Sequence, residues 1–321
     1  MSILLVKFLI ISSIIVFTGY QLTITGDKIA EETGFGSNLI GFILLASVTS
    51  MPELVTSISA ANIHRANLVF GNMIGSNIFN MVVIALVVIW GSRKSFQAKS
   101  ENIFNASMGL FITALAGILV FIKTSFSGII LLGAYGVILY LSFKFEKKNN
   151  ISDDVKPSFK FQKLFFSYLY FVFLSAIIVI SGYYLTIVCD KIAVTPFTVS
   201  GKTLILGTTF VGQLFLAVST SLPELIVSLS AVKIGKIDMA YSNIFGSNIF
   251  NMAILGFSSF FYKGQMFAAV SEDIVFSIMI FFILVSITIG SLKYKTKSKF
   301  RIDALLLILF YLVNLFYVFS K

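Results

Sequence analysis

A 44-residue stretch that occurs twice constrains this chain more than any other feature. Residues 37–80 and 208–251 align without a gap, at an offset of 171, and agree at 19 of 44 positions. The agreements favour polar and small residues. Thr49-Ser50-Met51-Pro52-Glu53-Leu54 returns as Thr220-Ser221-Leu222-Pro223-Glu224-Leu225, and Gly75-Ser76-Asn77-Ile78-Phe79-Asn80 returns as Gly246-Ser247-Asn248-Ile249-Phe250-Asn251. Chance agreement within an apolar chain would fall on Leu, Ile and Phe instead. The chain therefore consists of two related units, and its fold must accommodate both. A second match pairs residues 19–30 with 182–193 at nine of twelve positions, at an offset of 163. Eight extra residues therefore enter the second unit around Thr195-Pro196-Phe197.

With 57% hydrophobic and 12% charged residues, and a mean hydropathy of +0.97, the chain is too apolar for a water-soluble globule. A bilayer core of roughly 30 Å takes about 20 apolar residues per helix. The apolar segments predict ten spans, at 3–25, 37–62, 67–91, 102–122, 125–145, 163–189, 200–233, 237–261, 270–292 and 302–320. The first segment is longer than a signal-peptide core, lacks a cleavage site and has a later copy, so it is retained as a span. Spans one to five form a first unit over residues 1–145, with its motif at 41–80. Residues 146–162 form a cytoplasmic linker. Spans six to ten form a second unit over 163–321, with its motif at 212–251. Five crossings per unit is an odd number, so the second unit enters the membrane from the opposite side. The fold class predicted is an all-α integral membrane protein of ten transmembrane helices in two inverted five-helix repeats, an arrangement common among secondary transporters.

The formal charge of +10 does not point to nucleic acid, because the basic residues are not grouped with aromatics on a polar face. Their distribution follows the topology. Lys7, Arg65, Lys123, Lys191, Lys202, Lys263 and Lys321 fall on one side of ten spans, and the other 17 of the 24 Lys and Arg fall opposite. The positive-inside rule then places both termini outside the cytoplasm of a cell membrane. Cys189 is the sole cysteine, which rules out an intramolecular disulfide. His64, the sole histidine, reads as a loop residue.

Glu53 lies about sixteen residues into span two, near mid-membrane at 1.5 Å per residue, and Glu224 sits equivalently in span seven. A carboxylate at helix centre costs on the order of 3 kcal/mol on insertion scales and normally marks a pathway or a pair. Neither glutamate has an intramembrane Lys or Arg nearby, so a bound cation is the natural compensation. Thr49 and Ser50 share a helical face with Glu53, as Thr220 and Ser221 do with Glu224. Asn72, Ser76 and Asn80 form an i, i+4, i+8 stripe that is repeated by Asn243, Ser247 and Asn251, and Gly75 and Gly246 leave room for close helix approach. Pro52 and Pro223 lack an N–H, which predicts that the carbonyls of Val48 and Ser219 lose their helical partners. Carboxylate, hydroxyl, amide and carbonyl oxygens are the donors hard cations take, Ca²⁺ with six to eight of them at about 2.3–2.6 Å.

At these residues the sequence resembles the calcium/cation antiporter superfamily, in particular the prokaryotic sodium/calcium exchangers. That family carries two inverted repeats close to G-T-S-x-P-E followed by G-N-x-x-G-S-N-x-x-[ND]. The resemblance implies that Glu53 and Glu224 bind Ca²⁺ and, alternately, Na⁺. It implies that Thr49, Ser50, Thr220, Ser221, Ser76 and Ser247, with carbonyls near Ala46 and Ala217, complete the ion positions, and that spans one and six slide against the remaining core. The chain departs from the pattern at Val48, Ser219 and Ser242, where the family has glycine. It also has amides at both Asn80 and Asn251, where many relatives have at least one aspartate. The function expected is Ca²⁺/Na⁺ antiport by alternating access, with H⁺/Ca²⁺ or other divalent antiport and, behind these, a passive cation channel as alternatives. No enzyme activity and no cofactor are expected: the chain has neither a His-rich metal motif nor a nucleophile–base pair. The partners are inorganic cations and the lipid bilayer, and not nucleic acid.

Overall fold

The computed structural model describes residues 2–34, 36–91, 99–149, 161–194, 197–199, 202–204, 220–271, 274–294 and 302–320. The described elements are helical but for one short hairpin. In chain order they are α1 (Ser2–Thr33), α2 (Ser37–Thr49), α3 (Met51–Asn62), α4 (Ala66–Trp90), α5 (Ser100–Ile122), α6 (Ser127–Asn149) and α7 (Phe161–Val194). A hairpin β1 (Phe197–Val199) and β2 (Lys202–Leu204) follows, then α8 (Leu222–Lys233), α9 (Ile237–Ser258), α10 (Ile274–Tyr294) and α11 (Ile302–Ser320). Seven of these are long and apolar enough to cross a membrane, and α2 with α3 make an eighth if that broken pair is one span. α11 contributes a shorter apolar helix, Ile302–Val318. The protein is a multi-span membrane protein.

Two helices run past their expected limits. α1 has 32 residues and α7 has 34, about 48 and 51 Å at 1.5 Å per residue, well beyond the hydrocarbon thickness. They lie along one another at the edge of the molecule, and Leu9, Phe17, Phe165 and Phe166 on them are exposed, as suits side chains that meet lipid. α4 and α9 are the opposite case. In each, 72% of the apolar window is buried, against 17% in α1, which makes these two the central pair.

The apolar pattern predicts that span seven begins at residue 200, but a hairpin occupies that place. β1 and β2 pair antiparallel with Phe197 opposite Leu204 and Val199 opposite Lys202. Thr198, Val199 and Thr203 are β-branched and favour strands. The extra residues of the second unit thus fall at this hairpin. Residues 205–219, including the expected ligand carbonyl at Ala217 and the carbonyl of Ser219, lie outside the described residues.

The second span breaks at Ser50, where φ and ψ are −88° and 8°, and α2 and α3 meet at 44°. Pro52 explains the break, because its ring clashes with the carbonyl four residues back and it has no N–H to offer it. Ser221 has the same dihedrals and precedes Pro223 at the start of α8. The Val48 carbonyl is not freed as the sequence predicts, since a backbone N–H at the end of α2 still reaches it. The tightened turn supplies a nearer donor in place of the missing proline N–H.

Upstream of the break, residues Gly41–Leu45 form a π-helical turn that rests on α9. A Cβ at Gly246 would strike the Phe42 carbonyl oxygen and lie 2.8 Å from the Ala46 Cβ, and one at Gly41 would strike the Ser242 side chain and lie 2.7 Å from the Met239 carbonyl. Glycine at both faces is what lets the two backbones touch. The units also cross-pack. α1 lies on α8 and α7 on α3, with Gly19 under Ile226 and Gly182 under the Pro52 ring. His64, the loop histidine, is exposed with φ at 59° and meets Tyr262 edge-on at 5.4 Å.

Candidate cation site

The two breaks bring the two glutamates together. Each sits in the first turn of the helix that follows its break, where unpaired backbone N–H groups and the helix dipole favour a negative charge. The Ser50 hydroxyl donates to Glu224 Oε1 at 2.8 Å, and the Ser221 hydroxyl donates to Glu53 Oε1 at 3.0 Å. Each carboxylate is therefore held by the serine of the other unit. Glu53 lies near enough to Glu224 to repel it.

The remaining candidates surround this pair. Ser76 and Thr220 adjoin Glu53, Thr49 adjoins Glu224, and the Thr49 and Ser247 hydroxyls lie 3.4 Å apart. The Ala46 carbonyl accepts the Ser50 N–H at 3.1 Å and the Thr49 hydroxyl at 3.3 Å. Glu53, Glu224, Thr49, Ser50, Thr220, Ser221, Ser76, Ser247, Asn80, Asn251 and Ala46 are all buried. The stripe divides in function at its outer end: Asn72 donates to Ser57 at 3.2 Å and Asn243 to Ser228 at 3.0 Å, tying α3 to α4 and α8 to α9.

Several oxygens of the candidate residues have no partner among the described residues. They are Glu53 Oε2, Glu224 Oε2, Ser76 Oγ, Asn80 Oδ1 and Asn251 Oδ1, all buried. Leaving a buried polar atom unpaired costs about 1–3 kcal/mol, and more for a charged one. No Lys or Arg is buried among the described residues, so protein charge does not compensate the carboxylates. Nor do the described residues contain any group of three His, Cys, Asp or Glu fit to hold a metal. Hydroxyls, amides and backbone carbonyls would have to complete any cation shell here.

Asn77 and Asn248 belong to the site's frame: they are the asparagines of the repeated Gly-Ser-Asn, to which the sequence reading assigns no role. Asn77 donates to the Asn248 backbone carbonyl at 3.1 Å. Asn80 donates to Asn248 Oδ1 at 2.9 Å and Asn251 to Asn77 Oδ1 at 2.8 Å. Their recurrence at the common offset is the available signal. They lie off the Asn72–Ser76–Asn80 stripe, one residue past its serine.

Residues 3–144 and 164–320 match the sodium/calcium exchanger protein family. The chain belongs to that family. It is 28% identical to the sodium/calcium exchanger MaX1 of Methanosarcina acetivorans over 92% of this chain and 93% of MaX1. It is 24% identical to the putative antiporter CaxA of Alkalimonas amylolytica, over 87% and 88% of the two chains. In fold it matches the sodium-calcium exchanger NCX_Mj with a TM-score of 0.78 over 98% of each chain, at 23% identity. These likenesses span the whole length of both units, so the site described above lies within a family member's core and not in an appended segment.

Proposed function

We propose that this family member is a secondary active antiporter that exchanges Ca²⁺ for Na⁺ across a cell membrane, at one midplane site built on Glu53 and Glu224. The observation that carries the reading is the reciprocal bracing of two buried carboxylates, each with one oxygen held by the opposite unit's serine and the other unpartnered. Two carboxylates neutralise one Ca²⁺. Ser76, Asn80, Asn251, Thr49, Ser50, Thr220, Ser221 and Ser247, with the Ala46 and Ala217 carbonyls, supply neutral oxygens for Ca²⁺ and for the Na⁺ ions that replace it.

Obligatory exchange follows from the electrostatics. An empty site holds two buried like charges, and moving it between compartments unfilled carries their full desolvation cost. A site filled by Ca²⁺, or by Na⁺ of equal total charge, crosses at much lower cost. The chain is read as ten spans in two inverted units, 1–145 and 163–321, joined by a cytoplasmic linker at 146–162, with both termini extracytoplasmic. α1 and α7 are the elements whose displacement opens the site to either side. They are peripheral, long and cross-packed onto α8 and α3.

Uptake of ⁴⁵Ca²⁺ into proteoliposomes tests this. Uptake that requires internal Na⁺, and is absent with internal K⁺ or choline, is the expected result. Asn80 and Asn251 are neutral, leaving the two glutamates as the ionisable ligands, so a second arm imposes a pH gradient without Na⁺. Uptake driven by that gradient alone would make H⁺ the counter-ion, and uptake indifferent to both gradients would mean a channel.

A further inference from the structure

We infer that Asn77 is a positioning residue that fixes the amide of Asn251 with its oxygen toward the cation, and so raises the site's affinity for Ca²⁺. The inference rests on the antiporter reading and adds a residue to it. An asparagine amide is a good ligand in one orientation and a poor one in the other, because a rotation of 180° replaces the carbonyl oxygen with an NH₂ whose positive hydrogens repel a cation. At a site with only two acidic groups, which face the neutral amides present matters to affinity.

The orientation is determined through a short chain of hydrogen bonds that starts at a group unable to turn. The Asn248 backbone carbonyl accepts the Asn77 amide N–H at 3.1 Å, and a backbone carbonyl within a helix has one direction. Asn77 Nδ2 must therefore face α9's backbone, which turns Asn77 Oδ1 the other way. That oxygen accepts from Asn251 Nδ2 at 2.8 Å. With its NH₂ committed to Asn77, Asn251 has its Oδ1 on the opposite side, buried and unpartnered. The reverse orientation would set two carbonyl oxygens against each other. Asn248 Oδ1 accepts Asn80 Nδ2 at 2.9 Å and Asn80 Oδ1 is buried and unpartnered, but Asn248 Nδ2 has no partner of its own among the described residues, so the backbone anchor belongs to the Asn77 arm. Asn77 and Asn248 are buried, so water does not compete for these bonds.

A double-mutant cycle with Ca²⁺ as the probe separates this role from simple packing. Asn77→Leu keeps the volume but removes both the anchor and the acceptor, so Asn251 is free to turn its NH₂ inward. A carboxylate presents oxygen in both orientations, so Asn251→Asp makes the site indifferent to Asn77. Calorimetric Ca²⁺ binding to full-length protein in detergent should weaken about tenfold on Asn77→Leu when residue 251 is asparagine. In the Asn251→Asp background the same substitution should change affinity less than twofold. An equal loss in both backgrounds, or no loss in either, would overturn the inference. If Asn77→Leu does not fold, Asn77→Ala with and without Asn251→Asp runs the same cycle: a loss confined to the asparagine background supports the inference, and any other pattern overturns it. Absence of Ca²⁺ binding by the unsubstituted protein would instead refute the antiporter reading, so the two failures are distinct.

Discussion

Glu224→Gln is the sharpest perturbation of the proposed site, because it removes charge with little else. Glutamine has nearly the same volume, and its carbonyl oxygen can still accept the Ser50 hydroxyl that now donates at 2.8 Å. Glu224 is buried, so no solvent screens its interaction with a bound ion. Removing one partner from a buried charge pair costs about 3–5 kcal/mol, equivalent to a loss of roughly two to three and a half orders of magnitude in affinity at 1.4 kcal/mol per tenfold. The effect on the ion-free protein should have the other sign, since the substitution relieves repulsion between Glu53 and Glu224. Thermal unfolding of purified protein reads both effects together. Ca²⁺ at a hundred times its dissociation constant stabilises the unsubstituted protein by about 2.7 kcal/mol. At that concentration the variant should gain almost nothing, while its melting temperature without Ca²⁺ equals or exceeds that of the parent. A variant that Ca²⁺ still stabilises as it does the parent would refute the argument that Glu224 balances the ion's charge.

Three further outcomes are expected. Pro52→Ala restores a backbone N–H and removes the ring's clash, so the 44° bend should relax; spin labels flanking Ser50 should report an altered distance and exchange should slow, and an unchanged distance would mean that the bend is set by packing. Gly246→Ala puts a methyl group into the Phe42 carbonyl and should destabilise the protein by about 1–3 kcal/mol, measured by denaturant unfolding in detergent; full stability would show that α2 and α9 can part without cost. In a Cys189→Ser background, Asn149→Cys should react with an impermeant thiol reagent from the cytoplasmic side only and Lys321→Cys from the other side only, and labelling of both from one side would overturn the topology.

The parts of this protein that can be read from sequence are those where chemistry and repetition coincide. Glu53 and Glu224, with Ser50 and Ser221, stand out because carboxylates and prolines within apolar helices are costly and each occurs twice at one offset. Helix placement follows from apolar length, but helix ends do not. The last turns of α1 carry Asp27, Glu31 and Glu32, held by Lys236 at 2.9 Å from Asp27 and by Lys28 at 3.9 Å from Glu32. Such turns are stabilised by partners that hydropathy does not see. The Val48 carbonyl departs from expectation because a proline orphans its acceptor only while the helix keeps its regular pitch, and local tightening of the turn re-pairs it. Asn77 recurs in the repeat, but its role is not legible because it depends on a backbone carbonyl 171 residues away, and periodicity along one helix carries no information about the helix opposite.

The bracing across units has a consequence for how the two halves can move. If each glutamate were held by its own unit's serine, one unit could shift while its carboxylate kept its shape. Here Ser50 holds Glu224 and Ser221 holds Glu53, so relative motion of α3 and α8 distorts both carboxylates at once. In the proposed cycle the site is therefore carried intact and access changes around it, which favours movement of peripheral elements over movement of the central pair. The start of α2 has no side-chain cap of its own, and Glu146 at the end of α6 supplies one, accepting the Leu39 N–H and the Asn38 amide, each at 3.1 Å. That carboxyl cap ties the end of α6 to the start of α2, so in the proposed cycle any displacement of this end of the broken helix has to break both bonds or carry α6 along.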